Sequence, residues 1–334
     1  MLALHEEVVM GAPLLLVENL RKYFEIKRVF LGKKTYLRAV DGVSLSLVRG
    51  EAISIVGESG CGKTTLGKTI LRLYKPTDGR IIFDGRDITH LGWKDLKWYR
   101  RETGLVQQDP FGALPPFMTV KRILEEPLVI NGVKNRRERE EKIYKALERV
   151  KLTPVEDFIN KYPHMLSGGQ QQRVVIARAT ILEPKMIVAD EPISMLDASV
   201  RIEILKLLQE LQQKYNQSII YITHDLSTTK YFSERIYIMY AAQIVESAST
   251  SDLLQNPMHP YTRALLNVIP DPDPGNRFII RNVPAGEPPN LMNPPPGCRF
   301  HPRCPNFIKG VCDTREPSII EVAKGHYVKC WLYG

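Results

Sequence analysis

Three short segments carry residue types and spacings that could do chemistry. Gly57-Glu58-Ser59-Gly60-Cys61-Gly62-Lys63-Thr64 fits G-x-x-x-x-G-K-[ST] residue for residue. Its glycines allow backbone N–H groups to turn inward around phosphates at the positive end of a helix. Lys63 would neutralise phosphate charge and Thr64 would hold Mg²⁺ through its hydroxyl, with Ser59, Gly60, Cys61, Gly62 and Thr65 around the same nucleotide. Met186-Ile187-Val188-Ala189-Asp190-Glu191 ends an apolar run on two acids. Asp190 there suits a Mg²⁺ role and Glu191 a general base or water-polarising group. His224 closes a third run, Ser218-Ile219-Ile220-Tyr221-Ile222-Thr223, where it favours a γ-phosphate contact.

The elements around these residues supply the context that the motif needs. Ile53-Ser54-Ile55-Val56 reads as a short buried strand ending in glycine, and Thr64 to Leu73 as a helix with apolar Leu66, Ile70, Leu71 and Leu73. Strand, glycine-rich loop and helix distinguish a phosphate site from a glycine turn with an incidental lysine. An acid at the carboxyl end of a parallel strand lies where open α/β sheets bind ligands. Without the phosphate loop, two acids after a strand would read as a helix cap, and a lone histidine at a strand end as structural. Between Gln108 and Leu166 the pattern turns helical, over Val120 to Leu128 and Glu138 to Val150.

With Leu166-Ser167-Gly168-Gly169-Gln170 between the phosphate loop and the acidic strand end, the chain resembles the nucleotide-binding subunits of ATP-binding cassette (ABC) transporters from about Leu15 to Ser247. The resemblance implies an α/β fold, a P-loop NTPase cassette with a RecA-like core, an antiparallel β arm and a helical subdomain at about 109–180. It makes Gln108 a Mg²⁺-contacting glutamine, Ser194 to Asp197 a loop that communicates across a dimer, His224 a switch histidine, and Phe24 (or Tyr23) the ring that stacks on adenine. It also implies that Ser167, Gly168, Gly169 and Gln170 cap the γ-phosphate held by an opposite subunit. Ser167 is a good N-cap for an Ala- and Val-rich helix, so a second positive helix end with bare glycine amides could approach that phosphate. Met195 and Ala242 depart from the family's usual alanine and glycine without removing a catalytic group.

The tail narrows the resemblance. Asn256 to Leu266, with His259-Pro260-Tyr261, is similar to the extension of oligopeptide and dipeptide importer ATPases. Pro270 to Pro296 is proline-rich and aperiodic, an irregular linker. It leads to Cys298, Cys304, Cys312 and Cys330, while Cys61 reads as a small packing residue. Four clustered thiols could ligate zinc or an iron–sulfur cluster, or form disulfides in a hyperthermophile. Resemblance to the cysteine-rich end of peptide importer ATPases turns the expectation to a [4Fe–4S] cluster, with Zn²⁺ as the alternative, bracing the tail. The divisions expected are a tail at 1–14, an ATPase domain at 15–250 and the extension at 251–334.

Composition sets the limits. The chain has 334 residues, 43% hydrophobic and 25% charged, ordinary for a globular protein. No run approaches the roughly 20 apolar residues of a membrane span, and Glu6 and Glu7 argue against a signal peptide. The net charge of +9 gathers partly between Arg21 and Arg38, read as a solvated hairpin arm rather than a nucleic-acid surface. The expected role is that of an ATP- and Mg²⁺-dependent ATPase at the cytoplasmic face of a membrane. Its expected partners are two transmembrane permease subunits, a sister ATPase in a heterodimer, suggested by the long arm from Phe24 to Val40, and indirectly an extracytoplasmic binding protein. Oligopeptides or dipeptides are the expected cargo, with oligosaccharides or nickel as alternatives. A non-transport cassette ATPase, in DNA repair or translation, usually carries two cassettes or a long coiled-coil insertion, and this chain has neither.

Overall fold

In the computed structural model, residues 12–26, 34–268 and 286–334 are described. The strands in chain order are β1 Leu15–Ile26, β2 Thr35–Leu47, β3 Ala52–Val56, β4 Asp78–Phe83, β5 Arg86–Asp87, β6 Thr103–Val106, β7 Met186–Asp190, β8 Ser218–Thr223, β9 Arg235–Tyr240, β10 Gln243–Ser249, β11 Ile320–Ala323 and β12 His326–Val328. One sheet runs β11-β12-β10-β9-β3-β8-β7-β6, the other β2-β1-β4-β5. In the larger sheet β6, β7, β8, β3 and β9 are parallel, and β10, β12 and β11 continue it antiparallel.

The two kinds of sheet follow from two kinds of sequence. Every residue of β3, β7 and β8 is buried, as expected of strands covered on both faces, and each is a nearly unbroken apolar run. The strand β2 instead ends on an alternation, with Val43, Leu45 and Leu47 inward and Ser44 and Ser46 half-exposed, which suits a sheet covered on one face. The four-stranded sheet and the helix Lys63–Ile70 share one core, around Leu20, Ile53, Leu66 and Phe83. A second core joins the far side of the sheet to the helices Val120–Ile130, Arg136–Arg149 and Gly168–Thr180. The helix read from Thr64 to Leu73 stops earlier, because Arg72 turns to a φ of 55° and its guanidinium donates to the carbonyls of Ile88 and Leu91.

The C-terminal extension is not a detached appendage. The pairing of β12 with β10, Glu246 opposite Val328, makes it part of the main sheet. Phe300 and Tyr261 from the extension join Tyr240 in an aromatic cluster with centroids 4.5 to 5.5 Å apart. Periodicity could not forecast this, because β11 and β12 have only four and three residues. The expected N-terminal tail at 1–14 lies mostly outside the described residues, as does much of the proline-rich linker.

Candidate nucleotide site

The strand β3 ends at the glycine-rich loop, and the loop hands the chain to the helix Lys63–Ile70. Two glycines are there for lack of a side chain. A Cβ on Gly57 would collide with the carbonyl oxygen of Met239, and one on Gly62 with that of Ala39. Gly62 also sits at a φ of 110°, which L side chains rarely adopt. Cys61 is buried between them as a packing residue, its thiol pushed up by burial.

Lys63 is only 5% exposed, and its ammonium donates to the carbonyls of Gly57 at 2.7 Å and Glu58 at 2.9 Å. These bonds hold the charge inside the loop's curve, poised to exchange carbonyl partners for phosphate oxygens. Thr64 donates its hydroxyl to Asp190 at 3.0 Å. Asp190 is 6% exposed, and desolvation raises its carboxyl above the usual carboxylate range, with Glu191 adding to the effect. A desolvated carboxylate beside a threonine hydroxyl is a donor set that suits Mg²⁺. Thr64, Asp190 and Gln108 would hold that ion, which neutralises phosphate charge when bound.

Three elements converge on Glu191. Gln108 donates from Nε2 to Oε2 at 3.2 Å, and His224 Nδ1 lies 3.2 Å from the same oxygen. Glu191 itself adopts a φ of 45°, an uncommon conformation for a side chain of this size, while its N–H donates to the carbonyl of Ile222. The glutamate is thus aimed by its backbone and oriented by two side chains. That arrangement can position a water and accept its proton.

A cleft of about 620 Å³ brings these residues together. Ser59, Gly60, Gly62, Lys63, Thr64, Thr65, Gln108, Glu191 and His224 line it, with Glu58, Leu37, Ala39, Leu265 and Leu291. Gly57, Cys61 and Asp190 stand behind the lining. Motif reading missed Leu37, Ala39, Leu265 and Leu291 because none belongs to a phosphate motif, and it passed over Glu58 as a variable position within one. Only the segment His259-Pro260-Tyr261, close in sequence to Leu265, could have drawn attention to the tail.

Several other expected site residues have partners of their own. Phe24 packs edge-on against Tyr74 at 5.4 Å, with the Lys22 ammonium 4.6 Å from its ring centre, and across the β1–β2 pairing it stands opposite Leu37 of the cleft wall. Tyr23 turns its hydroxyl to Asp41. Ser167, Gly168, Gly169 and Gln170 lie away from the cleft. Ser167 and Gln170 form a capping box at the start of the helix Gly168–Thr180, and Ser167 is exposed. Asp197 is exposed at the start of the helix Ala198–Tyr215.

The iron–sulfur expectation is a further correction. Among the described residues no group of three or more His, Cys, Asp or Glu is arranged to hold a metal ion. Cys298, Cys304, Cys312 and Cys330 are neighbours in the fold, yet all are free thiols. Burial pushes Cys298 up to about 11 and raises Cys304 and Cys330, with the neighbouring thiols adding to the shift. The thiols pack instead: Cys298 and Cys304 lie against the cluster that contains Tyr261 and Phe300.

Comparison with known proteins agrees with the nucleotide geometry. Residues 40–194 match the ABC transporter family, and residues 245–312 match the oligopeptide/dipeptide transporter C-terminal region. The chain is 44% identical to the oligopeptide transport ATP-binding protein AppF of Bacillus subtilis, over 95% of this chain and 96% of that protein. It is 38% identical to the dipeptide transport ATP-binding protein DppF of Haemophilus influenzae, over 97% and 98% respectively. Among solved structures it resembles a dimeric post-hydrolysis state of the ATP-binding cassette MJ0796 bound to ADP and Pi. That likeness has a TM-score of 0.62 and 32% identity, over 71% of this chain and 98% of the other. Neither matched family is described as an iron–sulfur one. With a phosphate loop, a buried acid at its hydroxyl and a triply directed glutamate in one cleft, the chain belongs to the ABC transporter ATPases that carry the oligopeptide/dipeptide transporter C-terminal region.

Proposed function

We propose that this ATPase energises a binding-protein-dependent importer of oligopeptides or dipeptides, paired with a non-identical sister ATPase beneath two permease subunits at the cytoplasmic face of the membrane. The observation that carries the paired reading is the position of Ser167 to Gln170. They cap an outward-facing helix end and contribute nothing to the cleft of their own chain. A helix N-terminus with glycine amides is suited to a phosphate brought by another subunit. ATP binding would then close the two cassettes, and hydrolysis through Glu191 and His224 would reset them.

The cargo reading rests on the relatives, whose names describe oligopeptide and dipeptide transport. A permease contact is supported by Phe111 and Phe117, which are 58% and 76% exposed on the helical side. Phe111 also lies beside Gly168, within 3.6 Å of where a Cβ would stand, so a permease pushing there would reach the helix Gly168–Thr180. No helix among the described residues is long and apolar enough to cross a membrane, so the chain would sit on the membrane through these partners.

The decisive experiment reconstitutes the chain with its sister, the permeases and the binding protein in proteoliposomes. Binding protein loaded with oligopeptide or dipeptide should stimulate ATP hydrolysis. Stimulation by oligosaccharide or nickel in their place would overturn the cargo reading. With ATP, the Glu191→Gln chain should remain monomeric alone and dimerise with the sister carrying the equivalent change. An ATP-dependent dimer of this chain alone would overturn the heterodimer.

A further inference from the structure

One peptide unit of the phosphate loop is held at both ends. The N–H of Glu58 donates to the Tyr261 hydroxyl at 3.0 Å. In the same peptide unit, the carbonyl of Gly57 accepts from the Lys63 ammonium at 2.7 Å. This peptide is trans, so its N–H and C=O point in opposite directions from one rigid plane. Turning either end would turn the other. The orientation of the carbonyl that holds Lys63 is therefore coupled to a hydroxyl in the C-terminal extension.

That hydroxyl is fixed from outside the loop. Tyr261 is fully buried, and its ring packs against Tyr240 and Phe300 with centroids 4.5 and 5.5 Å away. Its N–H donates to His259 Nδ1 at 3.0 Å, and the His259 N–H donates to Glu246 on β10. The aromatic ring alone would satisfy this packing. The oxygen at its tip has a separate task, because a buried N–H without an acceptor is costly.

We propose that Tyr261 is a positioning residue for phosphate binding: its hydroxyl fixes the Gly57–Glu58 peptide so that Lys63 is presented to the phosphates of bound ATP. This role rests on the cleft being the ATP site. Tyr261 lies 203 residues from Glu58 in the chain and acts only through the loop, touching no reacting atom.

The test compares ATP with inorganic tripolyphosphate, which has the phosphates and no base, by titration calorimetry on the full chain. Tyr261→Phe keeps the ring and removes the hydroxyl. Both ligands should bind about fivefold more weakly, the worth of one hydrogen bond, while kcat at saturating ATP stays within about twofold. Unchanged affinities, or a loss confined to ATP, would overturn the proposal. Phe300→Leu loosens the same aromatic cluster without touching Glu58. It should lower the melting temperature and leave both affinities within about twofold; a loss matching that of Tyr261→Phe would make the effect one of packing and refute the role. The unaltered chain supplies a second measurement, in which the Glu58 amide should exchange its hydrogen slowly. Exchange as fast as in an open loop would contradict the anchor. Phosphate binding that Lys63→Ala abolishes reports separately on the cleft; if the unaltered chain binds neither ligand, the ATP-site reading fails and the role of Tyr261 with it.

Discussion

Arg303, from the C-terminal extension, grips Glu58 of the phosphate loop with both guanidinium nitrogens, at 2.9 and 3.2 Å. Arg303 is largely buried, so the pair works partly out of water, where a two-pronged contact is strong and directional. The carbonyl of Glu58 in turn accepts from Lys63. Contacts thus run without a break from the tail to the ammonium that meets the phosphates. Nearby, Arg299 bonds Asp41 and the carbonyl of Ala241, tying the tail to β2 and to the β9–β10 turn.

Replacing Arg303 by Met keeps the stem and removes the fork. The loop should then lose its outer brace, raising KM for ATP several-fold while kcat stays within about twofold, because no reacting group is touched. Stability should fall by about 2 kcal/mol, since Glu58 is left half-buried without its cation. Steady-state kinetics and thermal melts check both effects. An unchanged KM would show that the brace does not govern the loop.

Glu191→Gln should keep nucleotide binding and lower hydrolysis at least about 10²-fold, the usual span for a lost general base. The amide can still meet Gln108 or His224 but cannot take a proton from water. Phosphate release under single-turnover conditions measures the step directly. A rate within threefold of the unaltered chain would assign the base elsewhere.

His259 gives the protein a pH dependence with a definite sign. Burial lowers it to about 3, and its Nδ1 accepts a hydrogen bond from the N–H of Tyr261. In the unfolded chain the same group titrates near its ordinary value of 6.5. Its neutral form is therefore favoured by the fold. Stability is fully present above about pH 6.5 and falls towards pH 3, by about 1.4 kcal/mol per unit in that window. Melting curves between pH 5 and 7 should show a flatter profile for His259→Asn than for the unaltered chain. Parallel profiles would contradict this.

Glu246 is 1% exposed and accepts from three donors: the N–H groups of Met258 and His259, at 2.7 and 2.9 Å, and His326 at 2.7 Å. One carboxylate on β10 therefore holds both ends of the extension. Glu246→Ala should destabilise by about 3 kcal/mol by orphaning buried donors. Limited proteolysis should then cut first beyond residue 250. Cleavage spread evenly over the chain would show that the extension is not the element released.

How much of this was legible beforehand depends on the range over which each feature is decided. The phosphate loop, the acidic strand end and the helices around Val120 to Val150 follow from local rules: glycine where the backbone must turn, apolar runs where strands are covered twice, and helical spacing of buried side chains. Lys63, Thr64, Asp190, Glu191 and His224 could be named for that reason, although they lie up to 161 residues apart (224 − 63), while Gln108 came only with the family resemblance. Local rules could not separate Tyr23 from Phe24, because only the register against β2 sets Phe24 opposite Leu37 of the cleft wall and Tyr23 opposite Arg38. Nor could they show that the four near cysteines would not be arranged as a metal site, since packing decides that. The sequence by itself determined the chemistry of phosphate binding, for its groups sit on a few residues of obligatory type. Only the tertiary structure decided that Leu265 and Leu291 line the cleft and that Arg303 braces its loop, because burial and hydrogen bonding act between distant segments.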